Sequence, residues 1–180
     1  MNYYKLKIAG LERQLPILNI SDELSIASFV ILGDQELVTT AAAELVTKLP
    51  EVDILLTAEA KGIPLVHELA RQLGHQRYVV ARKGLKLYME NPVEVLVDSI
   101  TTGHQQSLYL DRSDADRLKG AKVAIVDDVI STGNSLKALE ELLAAAGGEL
   151  VCKAALLAEG DAIGREDIIY LEDLPLFPNQ

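Results

Sequence analysis

An α/β fold, with a parallel central sheet flanked by helices, is what this sequence predicts, and three observations carry that reading. Two stretches, "DILLTAEAKGIPLVHELARQLG" (53–74) and "VAIVDDVISTGNSLKALEELLAAAG" (123–147), share one plan of strand, short polar loop and helix. Their strands are near-continuous apolar runs, as expected of strands covered on both faces. The chain has 180 residues, 49% of them hydrophobic, enough for one domain that buries roughly 70% of its unfolded surface.

The elements follow in order. Asp34 can cap a helix over 34–48, "QELVTTAAAELVTKL", where apolar residues recur at helical spacing. "VDILLT" (52–57) is a strand and "AEAKG" (58–62) its loop; "IPLVHELARQLG" is a helix with Pro64 in its first turn and Gly74 past its end. "RYVVA" (77–81) is the next strand, and the polar segment 82–92, with Gly84 and Pro92, is a loop. "VEVLVDSI" and "QSLYLD", separated by "TTGHQ", read as a hairpin. Residues 112–120 form a connector. "AKVAIV" is then strand, "SLKALEELLAAAG" helix and "ELVCKAALLA" strand, followed by a tail with a short β-like "DIIYL". Nothing divides the chain into separate domains.

Charge narrows the partners. A net charge of −10, from 17 basic and 27 acidic residues, argues against non-specific attraction to nucleic acid or an anionic membrane. From Leu69 to Met89, however, there is no acid, while Arg71, Arg77, Arg82, Lys83 and Lys86 appear. Such a local patch on an acidic protein suggests a small anionic ligand; a solvated basic surface is the plainer alternative. Cys152 stands alone in an apolar run and reads as a buried structural thiol. One cysteine, no apolar stretch of the roughly 20 residues that a membrane span needs, and an N-terminus without a signal-peptide core lead to the expectation of a cytoplasmic protein. His67, His75 and His104 are read as packing or surface residues.

The stretch "KVAIVDDVISTG" (122–133) carries the chemistry. Neighbouring strand residues point to opposite faces, so Asp127 and Asp128 are not read as a close acid/base pair. At a strand end each can accept hydrogen bonds from sugar hydroxyls or hold a metal through water. Behind them Ser131, Thr132, Gly133, Asn134 and Ser135 supply hydroxyls and amides at a helix start, where the dipole favours a phosphate. Acids followed by a phosphate cradle suit a 5-phosphorylated ribose. In a parallel sheet ligands bind at the carboxyl ends of strands, which places Ala58 to Gly62 on the same edge. Neither a Walker A loop nor a Rossmann G-x-G-x-x-G occurs. A receiver domain would not need the hydroxyl-rich cradle. An ordinary turn capped by Asp and Ser is the structural alternative.

Residues 123–136, "VAIVDDVISTGNSL", resemble the 5-phosphoribosyl pyrophosphate (PRPP) signature of type I phosphoribosyltransferases. The resemblance extends from about Phe29 to Glu159: "TAEAKGIPL" is similar to the pyrophosphate loop, "VVARK" to the strand and basic residues after it, and 84–106 occupies the place of a flexible hairpin hood loop. "TAEAKGI" and "VVARK" look most like the xanthine and adenine (purine) branch of the family, and similar loops occur in a purine-responsive repressor. The resemblance implies a single domain over 1–180 whose N- and C-terminal segments form a small base-binding hood. It implies that Asp127 and Asp128 contact the ribose hydroxyls and that Ser131 to Ser135 enclose the 5-phosphate. Ala58, Glu59, Ala60, Lys61 and Gly62 would lie at the pyrophosphate, with Arg82, Lys83 and Lys86 neutralising it. Magnesium (Mg2+) would bridge pyrophosphate and ribose oxygens, and the protein would be a homodimer. The implied reaction is displacement of pyrophosphate from C1 of the ribose by a purine nitrogen, which needs no covalent nucleophile.

Base identity is open at this level. Adenine-type enzymes carry a glutamate in the hairpin where this chain has "VDSITTGHQQ", and xanthine-type enzymes an amide near the N-terminal Phe where it has "FVILG". Phe29 and Val30 are read as base contacts or core, and Glu159 as an acceptor for a base N–H or a solvated acid. Adenine is favoured over xanthine or guanine. The rival from another class is a PRPP-sensing regulator without turnover, but residues 1–50 hold only Lys5, Lys7, Arg13 and Lys48 as basic residues, with no basic helix-turn-helix to read DNA. A pyrimidine or orotate enzyme is a third candidate.

Overall fold

In "YYKLKI" the apolar and charged residues alternate, which turns Leu6 and Ile8 inward and Lys5 and Lys7 outward. This run is β1 (Tyr3–Ile8) in a computed structural model that describes residues 2–97 and 106–179. β1 pairs antiparallel with β2 (Leu11–Asn19), and β2 with β3 (Leu24–Ala27). α1 (Gln35–Val46) starts at the expected cap: the Asp34 carboxylate accepts from the Leu37 amide at 3.1 Å. Arg13 of β2 grips the same carboxylate at 2.6 and 3.0 Å and reaches Glu36 at 2.8 Å.

β4 (Ile54–Ala58), α2 (Gly62–Leu73) and β5 (Val79–Ala81) form the first strand-helix-strand unit, with α2 ending at Gly74. β6 (Val93–Val97) and β7 (Gln106–Leu110) pair antiparallel as the expected hairpin. The remainder of the segment expected to be a hood loop, 98–105 with His104, lies outside the described residues. α3 (Arg112–Leu118) leads into β8 (Lys122–Ile130), α4 (Asn134–Ala146) and β9 (Glu149–Glu159). A 3-10 turn at Gly160–Ala162 precedes β10 (Glu172–Leu174) and β11 (Leu176–Pro178).

The central sheet has the order β10-β9-β8-β4-β5, and every neighbouring pair in it is parallel. Its strand residues alternate between two cores. Leu55, Ala124, Val126 and Leu156 pack with α1, α2 and the N-terminal strands; Leu56, Val123, Ile125 and Ala155 pack with α3, α4 and the hairpin residues Leu108 and Leu110. A four-stranded sheet, β1-β2-β3-β11, joins the two ends of the chain. There the buried Ser25 hydroxyl lies 2.7 Å from Asn19 Oδ1 and 2.6 Å from Asn179 Oδ1.

Two expectations need correction, and one is met. The connector at 112–120 contains α3, a short helix that buries Ala115 and Leu118. "DIIYL" is β-like as expected: it runs beside β9 in the register that β10 continues, with Ile169 opposite Ala154 and Glu172 opposite Leu157, and its side chains alternate between the two cores, Ile168 and Tyr170 on one and Ile169 and Leu171 on the other. β8 continues through the two aspartates to Ile130, because Val129 and Ile130 extend the ladder to Leu157 and Ala158.

The Arg13–Asp34–Glu36 cluster predicts pH-dependent stability. Hydrogen bonding from Arg13 is the main cause that lowers the Asp34 pKa, with the Leu37 amide adding to it against burial. Asp34→Ala should therefore cost about 1–2 kcal/mol near neutrality. The loss should shrink as pH falls below ~4, where the depressed folded-state pKa means the wild-type pair is itself being protonated away. Urea unfolding of both proteins at neutral and acidic pH checks this.

Candidate functional site

Two strands set the position of the site. β4 and β8 are neighbours in the sheet, Ile54 opposite Val123 and Leu56 opposite Ile125. Their onward connections diverge: β4 leads through α2 to β5 on one side, β8 through α4 to β9 on the other. A crevice opens where such connections part, at the carboxyl ends of the strands. The loops 59–61 and 131–133 flank it.

On the β8 side, Asp128 is only 2% exposed, and Lys61 Nζ stands 3.1 Å from its Oδ2. That ammonium is close enough for an ion pair but not aligned as a hydrogen bond, so Oδ2 has no hydrogen-bond partner among the described residues. Asp127 Oδ1 accepts the Asp128 amide at 2.8 Å. Burial, and then the charge of Asp128, raise the Asp127 pKa above the ordinary aspartate range. Asp128 thus influences Asp127 despite the alternation expected to separate them, and this environment disfavours two bare anions and favours donors or cations.

Next to them Gly62, the first residue of α2, has no room for a side chain. A β-carbon there would collide with the Thr57 hydroxyl and stand 3.2 Å from Asp127 Oδ1. The loop 131–133 leads into α4. Gly133 caps that helix with φ 82°, a left-handed conformation that suits glycine, and neither a side-chain cap nor an acid occupies the first turn. Asp127, Val129 and Ser131 to Leu136 line a cavity of about 110 Å³ at this helix start.

Glu59 organises the β4 side. Ala58 is in register with Ala81, the Glu59 amide donates to Ala81 O at 2.9 Å, and the Glu59–Ala60 peptide is cis. The Glu59 carboxylate accepts from Arg82 Nε at 2.8 Å and from the Lys83 amide at 2.6 Å, with Lys86 Nζ at 4.0 Å. Burial opposes ionisation of Glu59, but the Lys83 amide and the charges of Arg82 and Lys86 outweigh it and lower the pKa. Arg82 is further fixed by paired main-chain bonds to Tyr109, both 2.9 Å, and by Tyr88 Oη, 3.2 Å from its Nη1.

The structure therefore brings Glu59 together with Arg82, Lys83 and Lys86, Lys61 with Asp128, and Gly62 with Asp127. It divides the basic patch: Arg71 pairs with Glu68 at 2.7 and 2.8 Å in the last turn of α2, at the far end of that helix from the crevice. Phe29 packs in the core at 6% exposure, the core alternative for that residue, whereas Val30 is 56% exposed. Both border a cavity of about 370 Å³ with Arg13, Pro16 and Asp34, whose lining does not include Glu159; that residue ends β9, in register with Leu174. Cys152 is half-buried, and burial pushes its thiol up to about 11, in keeping with an inert thiol. Sequence reasoning missed Thr57, Tyr88 and Tyr109. Thr57 had one signal, a lone hydroxyl in an otherwise apolar strand; the tyrosines had none, because their contacts depend on how the hairpin docks.

A model of the phosphoribosyl transferase domain matches residues 32–174. The chain belongs to that family. An adenine phosphoribosyltransferase of Thermosipho africanus is 32% identical over 146 residues, covering 80% of this chain and 82% of the relative. A hypoxanthine/guanine phosphoribosyltransferase of Methanosarcina mazei is 35% identical over 111 residues, 61% of this chain, and the chain spans 54% of that relative's length. Among solved structures, adenine phosphoribosyltransferase from Thermoanaerobacter pseudethanolicus superposes with a TM-score of 0.62 at 27% identity, covering 74% of this chain and 80% of the other. Within the phosphoribosyl transferase family the chain thus lies with the purine branch. Among the described residues no helix is long and apolar enough to cross a membrane, and no three His, Cys, Asp or Glu side chains gather as a metal-holding group.

Proposed function

We propose that the protein is a purine phosphoribosyltransferase that moves the 5-phosphoribosyl group of PRPP to a purine base, with adenine as the favoured acceptor, in purine salvage in the cytoplasm. The observation that carries this reading is the crevice between β4 and β8, which sets two acids, an uncapped helix start and a Glu59-ordered group of cations along one edge. Adenine is preferred because the match to the Thermosipho adenine enzyme extends over more of both proteins than the match to the hypoxanthine/guanine enzyme.

In this reading the carboxylates of Asp127 and Asp128 accept hydrogen bonds from the ribose hydroxyls, and the amides of the 131–135 loop hold the 5-phosphate. Arg82, Lys83 and Lys86 face the pyrophosphate as it departs with growing negative charge, where fixed cations are most effective. Lys61, paired with Asp128 in the free protein, is within reach of the same leaving group. The donor set fits magnesium bound mainly through substrate oxygens, since Mg2+ is commonly held by one or two carboxylates plus phosphates; Asp128 Oδ2, buried and without a hydrogen bond, is the oxygen best suited to it. When bound, the metal neutralises charge on the pyrophosphate. Val30 and Glu159 remain candidates for contact with the base. The exposed Leu85, Leu87 and Tyr88 beside Arg82 offer apolar surface for a homodimer.

Incubation with magnesium, PRPP and each nucleobase in turn tests the proposal. Nucleotide and pyrophosphate formed with adenine support it. Product from hypoxanthine or guanine alone overturns the base assignment, and PRPP binding without product from any base overturns the enzymatic reading in favour of a sensor. A further expectation concerns Glu59→Gln. Loss of its charge leaves the cluster more positive, so pyrophosphate should bind at least as tightly by titration. Turnover should nonetheless fall about tenfold, because Arg82 loses the partner that aims it.

A further inference from the structure

We propose that Arg165 is a positioning residue for the phosphate end of the ligand, a fixed positive charge held against the Gly133 backbone of the phosphate loop. The inference rests on the phosphoribosyl-binding reading above and extends it to the segment after β9, outside the signature and its loops.

The cavity at the start of α4 is short of positive charge. Its lining contains one ionisable side chain, Asp127, and no cation. A phosphate monoester carries between one and two negative charges near neutrality, and a helix start offers the equivalent of only about half a positive charge. A dianion beside Asp127 therefore needs a cation close to the loop. Arg165 supplies one: its Nη1 lies so close over Gly133 that a β-carbon on that residue would stand 3.3 Å from it.

Several contacts aim the guanidinium. Asp167 takes one edge of the fork, accepting Nε at 2.8 Å and Nη2 at 2.7 Å, which leaves Nη1 on the Gly133 side. Asp167 is itself held by Lys153 Nζ at 2.6 Å, and Lys153 pairs with Glu140 of α4 at 3.1 Å. The turn that carries the arginine is pinned as well, with the Gly164 amide donating to Tyr170 Oη at 2.9 Å and the Arg165 amide to Ala162 O at 3.3 Å. A two-point fork on a carboxylate fixes the direction of the third nitrogen, which a lysine cannot reproduce. Because Arg165 is absent from the cavity lining, it acts across the loop backbone, as a charge and as a brace.

Titration calorimetry on the full chain, with magnesium present, separates this role from simple packing over Gly133. Ribose 5-phosphate probes the loop and pyrophosphate probes the opposite side of the crevice. Arg165→Gln should weaken ribose 5-phosphate about five- to tenfold and leave pyrophosphate within about twofold, a margin for indirect effects across the crevice. The gap between wild type and variant should narrow as salt rises from ~0.05 M to ~0.5 M, since a charge effect is screened and a packing effect is not. Arg165→Lys should fall between the two, and Asp167→Asn, which frees the fork but also removes a negative charge beside it, should change ribose 5-phosphate affinity less than Arg165→Gln does and leave pyrophosphate unchanged. These two milder variants carry the test if Arg165→Gln does not fold. Equal losses for both ligands, a loss indifferent to salt, or no change would overturn the inference. A wild-type chain that binds pyrophosphate and ribose 5-phosphate keeps the underlying reading intact whatever the variants do; one that binds neither overturns that reading and this one with it.

Discussion

Asp128→Asn is expected to lower kcat/KM for PRPP by about 10²-fold or more while leaving the protein as stable as wild type, or more so. The carboxylate is almost wholly buried, one of its oxygens lacks a hydrogen bond, and its charge is one of the causes that raise the pKa of Asp127. A buried carboxylate lacking a hydrogen bond is costly to the fold, and groups kept for activity are often replaced with a gain in stability. Lys61, whose side chain is 47% exposed, can return to solvent when its partner is neutralised. The pH dependence should move as well. Because the folded-state pKa of Asp127 is raised, its contribution favours the folded state at low pH and is lost as pH rises through that value. Without the Asp128 charge the window should shift to lower pH. Steady-state kinetics together with urea midpoints across pH would decide: unchanged kinetics would remove Asp128 from the site, and a lower midpoint would contradict the stated cost of burying it.

The second large effect is expected at Gly62. An alanine there must push aside the Thr57 hydroxyl, which is fully buried at the end of β4, or move the start of α2 away from Asp127. Overpacking of this kind costs about 1–3 kcal/mol. It should also abolish most turnover under the proposed function, because the added methyl would crowd Asp127 Oδ1 at 3.2 Å and push aside the carboxylate assigned to the sugar. The double variant Gly62→Ala, Thr57→Ala tests the cause. If the collision with Thr57 is responsible, trimming the threonine should restore most of the lost stability, giving a clear coupling between the two sites; additive losses would point elsewhere.

Much of the site was readable from residue order alone, since its two loops are local features. "AEAKG" and "DDVISTG" each follow an apolar strand and open a helix, so strand-loop-helix patterning was enough to place them on one edge. The caps were equally local, with Asp34 at the start of α1 and Gly74 at the end of α2. What escaped depends on contacts distant in sequence. The N-terminal strands alternate visibly in "YYKLKI", yet their sheet is completed by β11, more than a hundred residues away. Glu59 could be placed at the loop, but not its grip on Arg82 and the Lys83 amide 23 and 24 residues on, because that contact comes from β5 lying beside β4. In "IGRED" nothing local marks Arg165 as the neighbour of Gly133. "DIIYL" was legible because its apolar residues, alternating between the two cores, are what an edge segment beside β9 requires.

The bond between Ser25 and Asn179 joins residues 154 positions apart, and this has a consequence for biosynthesis. On the ribosome, β1 to β3 are made long before β11 can complete their sheet. Until then β3 presents an open edge of the kind that invites misassociation. Nascent chains should therefore call on chaperones chiefly through β1 to β3, and a ribosome stalled shortly before codon 176 should release a product more prone to clumping than one that completes β11.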